Sequence, residues 1–244
     1  MVKNSIRVLC IVQARLTSTR LPDKVLMSLG SDDLSILEHV YNRLSVSSKI
    51  DEIVFAIPDA ASNNKLFDFL IENHISAFRG DEDNVLNRFY QCAKKYPAPI
   101  IIRATCDNPL VDWNIANQAI SLLIESGADY ILTKGFPLGS SVEIMTFQAL
   151  EKAFINASKE AEFEHVTPYI YTHSDEFIIK TLYCEKDLSD YRFTVDTSED
   201  YQFMKKIYDE LYHGVPLNNK EVISYLDAHP DVKSINSMVK QKSI

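Results

Sequence analysis

Three cations and one acid fall within the ten residues from Arg15 to Lys24, in the run Gln13-Ala14-Arg15-Leu16-Thr17-Ser18-Thr19-Arg20-Leu21-Pro22-Asp23-Lys24. Arginine forks and a lysine point charge suit phosphate oxygens. The main-chain amides of Thr17 to Thr19 can line an anion concavity as glycines do elsewhere. The competing reading is a solvated basic loop. A second run, Arg103-Ala104-Thr105-Cys106-Asp107-Asn108-Pro109-Leu110, follows an apolar segment. An acid at that point can hold Mg²⁺, which takes one or two carboxylates plus substrate phosphates; alternatively Asp107 or Asn108 forms an Asx-turn before Pro109. The third run is Arg192-Phe193-Thr194-Val195-Asp196-Thr197-Ser198-Glu199-Asp200. Here too an acid follows an apolar stretch, although Asp196, Thr197 or Ser198 could each cap the next helix. Taken together, the three runs offer cations for a triphosphate and two acids for its metal.

Other residues carry weaker signals. Arg79, in Phe78-Arg79-Gly80-Asp81, either enters the same crevice or pairs with Asp81 or Asp83 at the surface. Glu143 lies in the apolar stretch Val142-Glu143-Ile144-Met145 and faces either a substrate or water. Glu164-His165 could reach a substrate hydroxyl, or His165 could be an ordinary, satisfied histidine. His165 and His173 lack partners at zinc-ligand spacing.

Positioning these runs requires elements that end where the runs begin. Residues 6–12 read as a buried strand, followed by a helix that Ser35 can cap. Further strands are expected at 53–57, 76–79 and 100–103. They alternate with helices marked by Leu66, Phe69 and Leu70, then by Val85, Leu86, Phe89 and Cys92 after an Asp83 cap, then by Ile115, Ala119, Leu122 and Leu123. Such alternation predicts a mainly parallel sheet with helices on both faces, whose strand ends form a ligand crevice. The second half is less regular. Strands are expected at 130–133, 142–146, 177–183 and 192–195. Helices are expected at 147–157, 163–172 despite Pro168, 198–212 opened by Glu199 and Asp200, and 219–227, with a frayed polar tail from Lys233. One domain spanning residues 1–244, with an elaborated C-terminal half, accounts for the pattern.

Composition narrows the function classes. The 244 residues are 46% hydrophobic and 24% charged, ordinary for a globular protein. The net charge of −9 argues against nonspecific nucleic-acid binding. The chain has no 18-residue apolar stretch, so no membrane span is expected, and the apolar run at the N-terminus is too short for a signal peptide, which points to the cytoplasm. The four cysteines lack C-x-x-C spacing and read as reduced structural thiols. With only six glycines there is neither a Walker P-loop nor a dinucleotide fingerprint, and no nucleophile elbow occurs.

The segment from Gln13 to Lys24 resembles the opening signature of the sugar cytidylyltransferases, which include the CMP-sialic acid and CMP-Kdo synthetases, and especially the branch named for spore coat polysaccharide biosynthesis protein F. Later blocks recur in order: Phe78-Arg79-Gly80 with Asp83, Asn84, Val85, Leu86 and Arg88; Arg103 with Asp107 and Pro109; Glu164-His165-Val166-Thr167-Pro168-Tyr169-Ile170; and Val195-Asp196-Thr197 with Glu199-Asp200. The resemblance spans roughly residues 6–210. It implies an α/β, GT-A-like nucleotidyltransferase fold with a mixed, mostly parallel sheet between helices.

It also implies that CTP lies over the first loop. Arg15 and Lys24 then meet the phosphates with Arg20 nearby, Gln13, Ala14, Ser18 and Arg103 complete the nucleotide contacts, and Arg79 lies near the base. Asp107 and Asp196 match the metal-holding acids, for Mg²⁺. Glu143, Glu164 and His165 fall on the acceptor side, and the wider family suggests a homodimer. The chain departs from the branch at Cys106, and at Leu138 and Ser141, where polar acceptor contacts are usual. The expected activity is transfer of CMP from CTP to a small acceptor, in particular an acidic sugar, with release of pyrophosphate. A glycosyltransferase using a preformed nucleotide sugar and a non-catalytic nucleotide-binding protein are the rivals.

Overall fold

The computed structural model describes residues 6–241. The first residues of the N-terminal stretch read for a signal peptide, and the last three of the polar tail, lie outside them. Nine strands and ten α-helices follow in the order β1 (Val8–Gln13), β2 (Ser28–Leu29), β3 (Leu34–Ser35), α1 (Ile36–Ser45), β4 (Glu52–Pro58), α2 (Asn64–Glu72), β5 (Ala77–Gly80), α3 (Val85–Lys95), β6 (Ile100–Thr105), α4 (Trp113–Ser126), β7 (Tyr130–Lys134), β8 (Glu143–Thr146), α5 (Phe147–Asn156), α6 (Glu160–His165), α7 (Pro168–Thr172), β9 (Ile179–Tyr183), α8 (Ser198–Leu211), α9 (Asn219–Ala228) and α10 (Pro230–Ser234). The main sheet has the order β5-β4-β1-β6-β8-β7-β9, with β2 and β3 as a separate two-stranded ribbon. Strands β5, β4, β1 and β6 are parallel, β8 is antiparallel to both neighbours, and β7 pairs parallel with β9. The mixed, mostly parallel sheet expected from the sequence is thus present, and β8 is the one strand of the seven that runs against the rest.

Alternation along β1 explains the two cores. Val8, Cys10 and Val12 pack on one face with α1, α2 and α4, while Leu9 and Ile11 pack on the other with α3 and α5. A strand buried on both faces must be apolar throughout, which is why β1 reads as a continuous run. A third core joins α8, α9 and α10 to Leu29, Leu110, Phe193 and Val195. The cysteines are all unpaired.

Several local expectations need correction. Ser35 caps α1 in a full capping box with Glu38, as its spacing allowed. The cap of α3 is Asn84 rather than Asp83, because Asp81 has taken the amides of Asp83 and Asn84 for its own turn. The helix expected over 163–172 is two helices. Between them Val166 has φ +70° and ψ −53°, and the amide of Thr167 donates to His165 O at 2.8 Å, a strained γ-turn about a β-branched residue. Pro168 then sits at the first position of α7, where it costs no hydrogen bond. Residues 192–195 are extended but lie outside the sheet, joined to Leu138 by a single bridge, because Phe193 and Val195 are buried against α8 instead. The tail does not fray at Lys233: α10 crosses that point, and Asn236 is 4% exposed.

His39 on α1 is 2% exposed, with Nε2 3.0 Å from Leu29 O and its ring 4.3 Å from that of Tyr208. Burial holds its pKa below the ordinary 6.5. The unfolded chain therefore binds a proton that the folded protein resists, so this contribution to stability is complete above pH 6.5 and is lost as pH falls through the folded pKa. We predict that urea-unfolding midpoints decline from about pH 7 to about pH 5, and that His39→Gln, which keeps a donor for Leu29 O, flattens the decline. An unchanged slope in the variant would assign the acid limb to other groups.

Candidate active site

Strand β1 and the loop behind it bring the first cluster together. The loop is folded on itself, with the amides of Ser18 and Asp23 both donating to Leu16 O (2.8 and 3.1 Å) and the amide of Leu16 held by buried Asn63 (2.9 Å). Ser18 N is therefore turned inward, which removes it from the anion concavity expected of Thr17 to Thr19. Asp23, with φ +56°, then turns the chain into a short 3₁₀ segment that carries Lys24 inward.

Lys24 is 7% exposed, and its Nζ meets Asp107 Oδ2 at 2.8 Å, Asp196 Oδ1 at 2.9 Å and Val195 O at 2.7 Å. Burial by itself would lower the ammonium pKa, but the two carboxylates outweigh it and hold it above the ordinary value. Asp107 and Asp196 are 89 residues apart in sequence (196 − 107). They are brought together because Val195 N donates to Asp107 O at 2.8 Å, which lays the extended segment beside the end of β6. Gly139 permits that approach: a Cβ there would lie 2.8 Å from Thr194 N and 2.9 Å from Asn108 Oδ1.

Both turn alternatives for the acids fall away. Thr197, not Asp196, caps α8, in a reciprocal box with Asp200. The Asp107 carboxylate is on Lys24, and Asn108 donates to the Thr105 hydroxyl at 2.8 Å. Asp196 is held on its second oxygen by Arg20 at 3.2 Å and Arg192 at 2.9 Å. Burial would raise its pKa, but Lys24, Arg20 and Arg192 bring it below the ordinary carboxylate value. Asp200, which is fully buried, takes Arg192 Nε at 2.8 Å and Asn236 Nδ2 at 3.1 Å. It therefore anchors Arg192 as well as meeting the helix dipole. Arg192 and Asp200 are supports that sequence reasoning missed, although both stood inside the third run; the signal was an arginine and an acid eight residues apart around a helix start.

A second polar row crosses β1, β6 and β8. Arg103 pairs in register with Glu143 across the antiparallel strands. Its guanidinium is ion-paired to Glu143 and donates through Nη2 to Gln13 Oε1 at 3.2 Å. The other Glu143 oxygen accepts from Tyr130 Oη at 2.7 Å and from the Thr167 hydroxyl. Glu143 thus faces a polar cluster rather than bulk water. Thr167, delivered by the Val166 turn, is the member of the Glu164–Ile170 block that meets it, while Glu164 and His165 stay 3.9 Å apart from each other at the surface, outside this row. Arg15 is exposed and Ala14 is buried, its amide donating to Ala56 O at 3.3 Å. Arg79 is not brought to this set. On β5 it points to the opposite face, where its Nε lies 2.9 Å from Asp59, its Nη1 donates to Asn64 and its Nη2 to Ala60 O, so neither Asp81 nor Asp83 is its partner.

The donor set can be tested against Mg²⁺. Asp107 and Asp196 present hard oxygens that already converge on one cation, and no third acid, histidine or cysteine joins them among the described residues. Two carboxylates completed by substrate phosphates are what that ion takes, so the residues fit it.

A family model described as cytidylyltransferase matches residues 9–227. An uncharacterized protein of Methanocaldococcus jannaschii is 39% identical over 244 residues, covering 97% of each chain. Spore coat polysaccharide biosynthesis protein SpsF of Bacillus subtilis is 34% identical over 229 residues, covering 92% of this chain and 95% of its own. The solved structure of a cytidylyltransferase from Leptospira borgpetersenii serovar Hardjo-bovis aligns with a TM-score of 0.88 at 27% identity, over 98% of this chain and 100% of that one.

Lys24→Met would leave two carboxylates facing each other without their cation. We predict a loss of about 3 kcal/mol in urea unfolding at neutral pH, at the low end for a broken buried pair because water partly screens Asp107. Millimolar Mg²⁺ should return part of that loss, and should shift the variant more than the parent protein. A variant indifferent to Mg²⁺ would show that the two acids do not hold it.

Proposed function

Because the chain belongs to the cytidylyltransferase family, we propose that it transfers CMP from CTP to the anomeric hydroxyl of an acidic sugar, with Mg²⁺, in the synthesis of a surface polysaccharide or glycan. The chain is a nucleotidyltransferase. The observation that carries it is the convergence of Lys24, Asp107 and Asp196 at the ends of β1 and β6. The acidic-sugar acceptor is supported by the opening block from Gln13 to Lys24, which resembles the signature of the family that includes the CMP-Kdo and CMP-sialic acid synthetases. The polysaccharide role is supported by the name of the Bacillus relative.

In this reading the acceptor oxygen attacks the α-phosphorus, a new O–P bond forms, and the bond to the β-phosphate oxygen breaks. The acceptor proton passes to solvent and pyrophosphate leaves. Little covalent work falls to the protein, so positioning and charge neutralisation carry the rate. Arg15 and Arg20 present positive charge from the loop after β1, and Lys24 supplies a third cation at its far end. Asp107 and Asp196 would hold Mg²⁺, which when bound neutralises charge on the triphosphate. Arg192 and Asp200 keep Asp196 oriented. Glu143, fixed by Arg103, Tyr130 and Thr167, orients an acceptor hydroxyl, with Glu164 and His165 at the rim. The same reading places the protein in the cytoplasm as a homodimer.

The test is a pyrophosphate-release screen of CTP, UTP, ATP and GTP against acidic sugars and phosphorylated alcohols. CTP with an acidic sugar should give the signal. Asp107→Asn should lower kcat by about 10²–10³-fold, as loss of a main charge-stabilising group does. Arg15→Lys should raise KM for CTP, since an ammonium cannot replace a fork. Release of free nucleotide from a nucleotide sugar would make the enzyme a glycosyltransferase, and CTP binding without turnover would make it a binding protein.

A further inference from the structure

The loop between β5 and α3 is held from within by a side chain that the chemistry above leaves unused. Arg88, on the first turn of α3, is 1% exposed. Its stem lies under Gly80, where a Cβ would come within 3.0 Å of Arg88 Cγ and 2.8 Å of the Phe78 ring. Its Nη1 donates to Asp81 O at 2.6 Å and Glu82 O at 3.5 Å, and its buried Nε meets no acceptor. The outer side of the loop is fixed independently, since the Asp81 carboxylate accepts from the amides of Asp83 (3.1 Å) and Asn84 (3.0 Å) and from Asn87 Nδ2 (3.3 Å).

A buried guanidinium bound to carbonyls, with no carboxylate among its partners, is costly in the free protein. Burial pushes its pKa down to about 10, and the neighbouring charge of Arg15 adds to the shift. Strands β1, β4 and β5 are parallel neighbours, so the loop that Arg88 holds leaves the same edge of the sheet as the loop that bears Arg15.

We propose that Arg88 is a positioning residue for the nucleotide: it fixes the Gly80–Glu82 main chain at the sheet edge that also carries the Arg15 loop, and adds a buried positive charge that favours an anionic nucleotide there. This rests on the CTP-dependent reading above.

The test is calorimetric binding of CTP with Mg²⁺, paired with thermal unfolding of the ligand-free protein, for the parent, Arg88→Met and Arg88→Lys. Arg88→Met should weaken CTP binding about tenfold or more. Its ligand-free melting temperature should stay level or rise, because a buried charge that bonds no carboxylate and leaves its Nε without an acceptor has been removed. Arg88→Lys, which keeps the charge and one donor, should recover most of the affinity. Equal CTP affinity in Arg88→Met would overturn the inference. So would a fall in melting temperature that Arg88→Lys reverses with no effect on CTP, which would leave Arg88 a purely structural clamp. Should Arg88→Met not fold, an Arg88→Lys protein with lowered CTP affinity and parental melting temperature supports the inference, and one with parental affinity overturns it. A parent protein that binds no CTP would instead sink the nucleotide reading itself, before any variant is compared.

Discussion

A lysine ammonium buried between two carboxylates is the contact on which the site depends. Lys24, Asp107 and Asp196 come from three stretches of chain: the loop after β1, the end of β6 and the extended segment before α8. Taking three charges out of water costs several kcal/mol per ion unless each is paired and hydrogen-bonded. The cluster meets that condition by extension. Arg20 and Arg192 share the second oxygen of Asp196, and Asp200 takes Arg192, so three cations face three acids. Such a network is a weak source of net stability but a strong source of register. Displacement of the segment before α8 would take Asp196 away from Lys24 and Arg20 and leave the buried ammonium with Asp107 alone. The C-terminal layer is therefore indexed to the sheet by charge as much as by its apolar contacts.

That indexing explains features with no chemistry of their own. Gly139 lets the loop before β8 lie against both Asn108 and Thr194, closing the gap between the two acid-bearing segments. Asn236, far along the chain in the turn after α10, donates to Arg192 O and to Asp200, so even the end of the described chain contributes to holding Asp196 in place. Buried Arg43 does the same on the other side of the Asp107 loop, donating to Val111 O and Leu217 O and so joining the loop to the approach of α9.

What was legible in the sequence follows from range. The parallel half announced itself because strands buried on both faces must be apolar runs, and because the Ser35 box and the helix faces are local patterns. The acids and cations were legible as residue types at strand ends. Their partners were not, because Lys24–Asp196 and Arg192–Asn236 are long-range contacts that no local pattern encodes. Arg79 and Arg88 show the same limit from the other side. Arg79 shares a block with the other site residues yet bonds Asp59, Asn64 and Ala60 O, while Arg88 looks like an ordinary helix residue until the β5–α3 loop is folded over it. The expected strand at 192–195 failed because an apolar extended segment can bury its side chains against a helix without joining a sheet.

The single reversed strand gives the sheet its division of labour. Parallel β1 and β6 both end at the same edge of the sheet, so their following loops bring Lys24 and Asp107 together there. An additional parallel strand beside β6 would end there too, and its loop would compete for the same space. Strand β8 instead begins there: its antiparallel register sets Glu143, its first residue, opposite Arg103, and its chain then runs away from the crevice. The edge of the site is thus closed by a side-chain row, Gln13–Arg103–Glu143, extended by Tyr130 from β7 and Thr167 from the γ-turn. The strain at Val166 fits this geometry. A relaxed helix through residues 163–172 would continue past Thr167 without the break, whereas the γ-turn, anchored by a fully buried valine, delivers that hydroxyl to Glu143. Polarity around Glu143 is therefore set by backbone geometry at a turn, and polarity around Asp107 and Asp196 by charge pairing between distant segments.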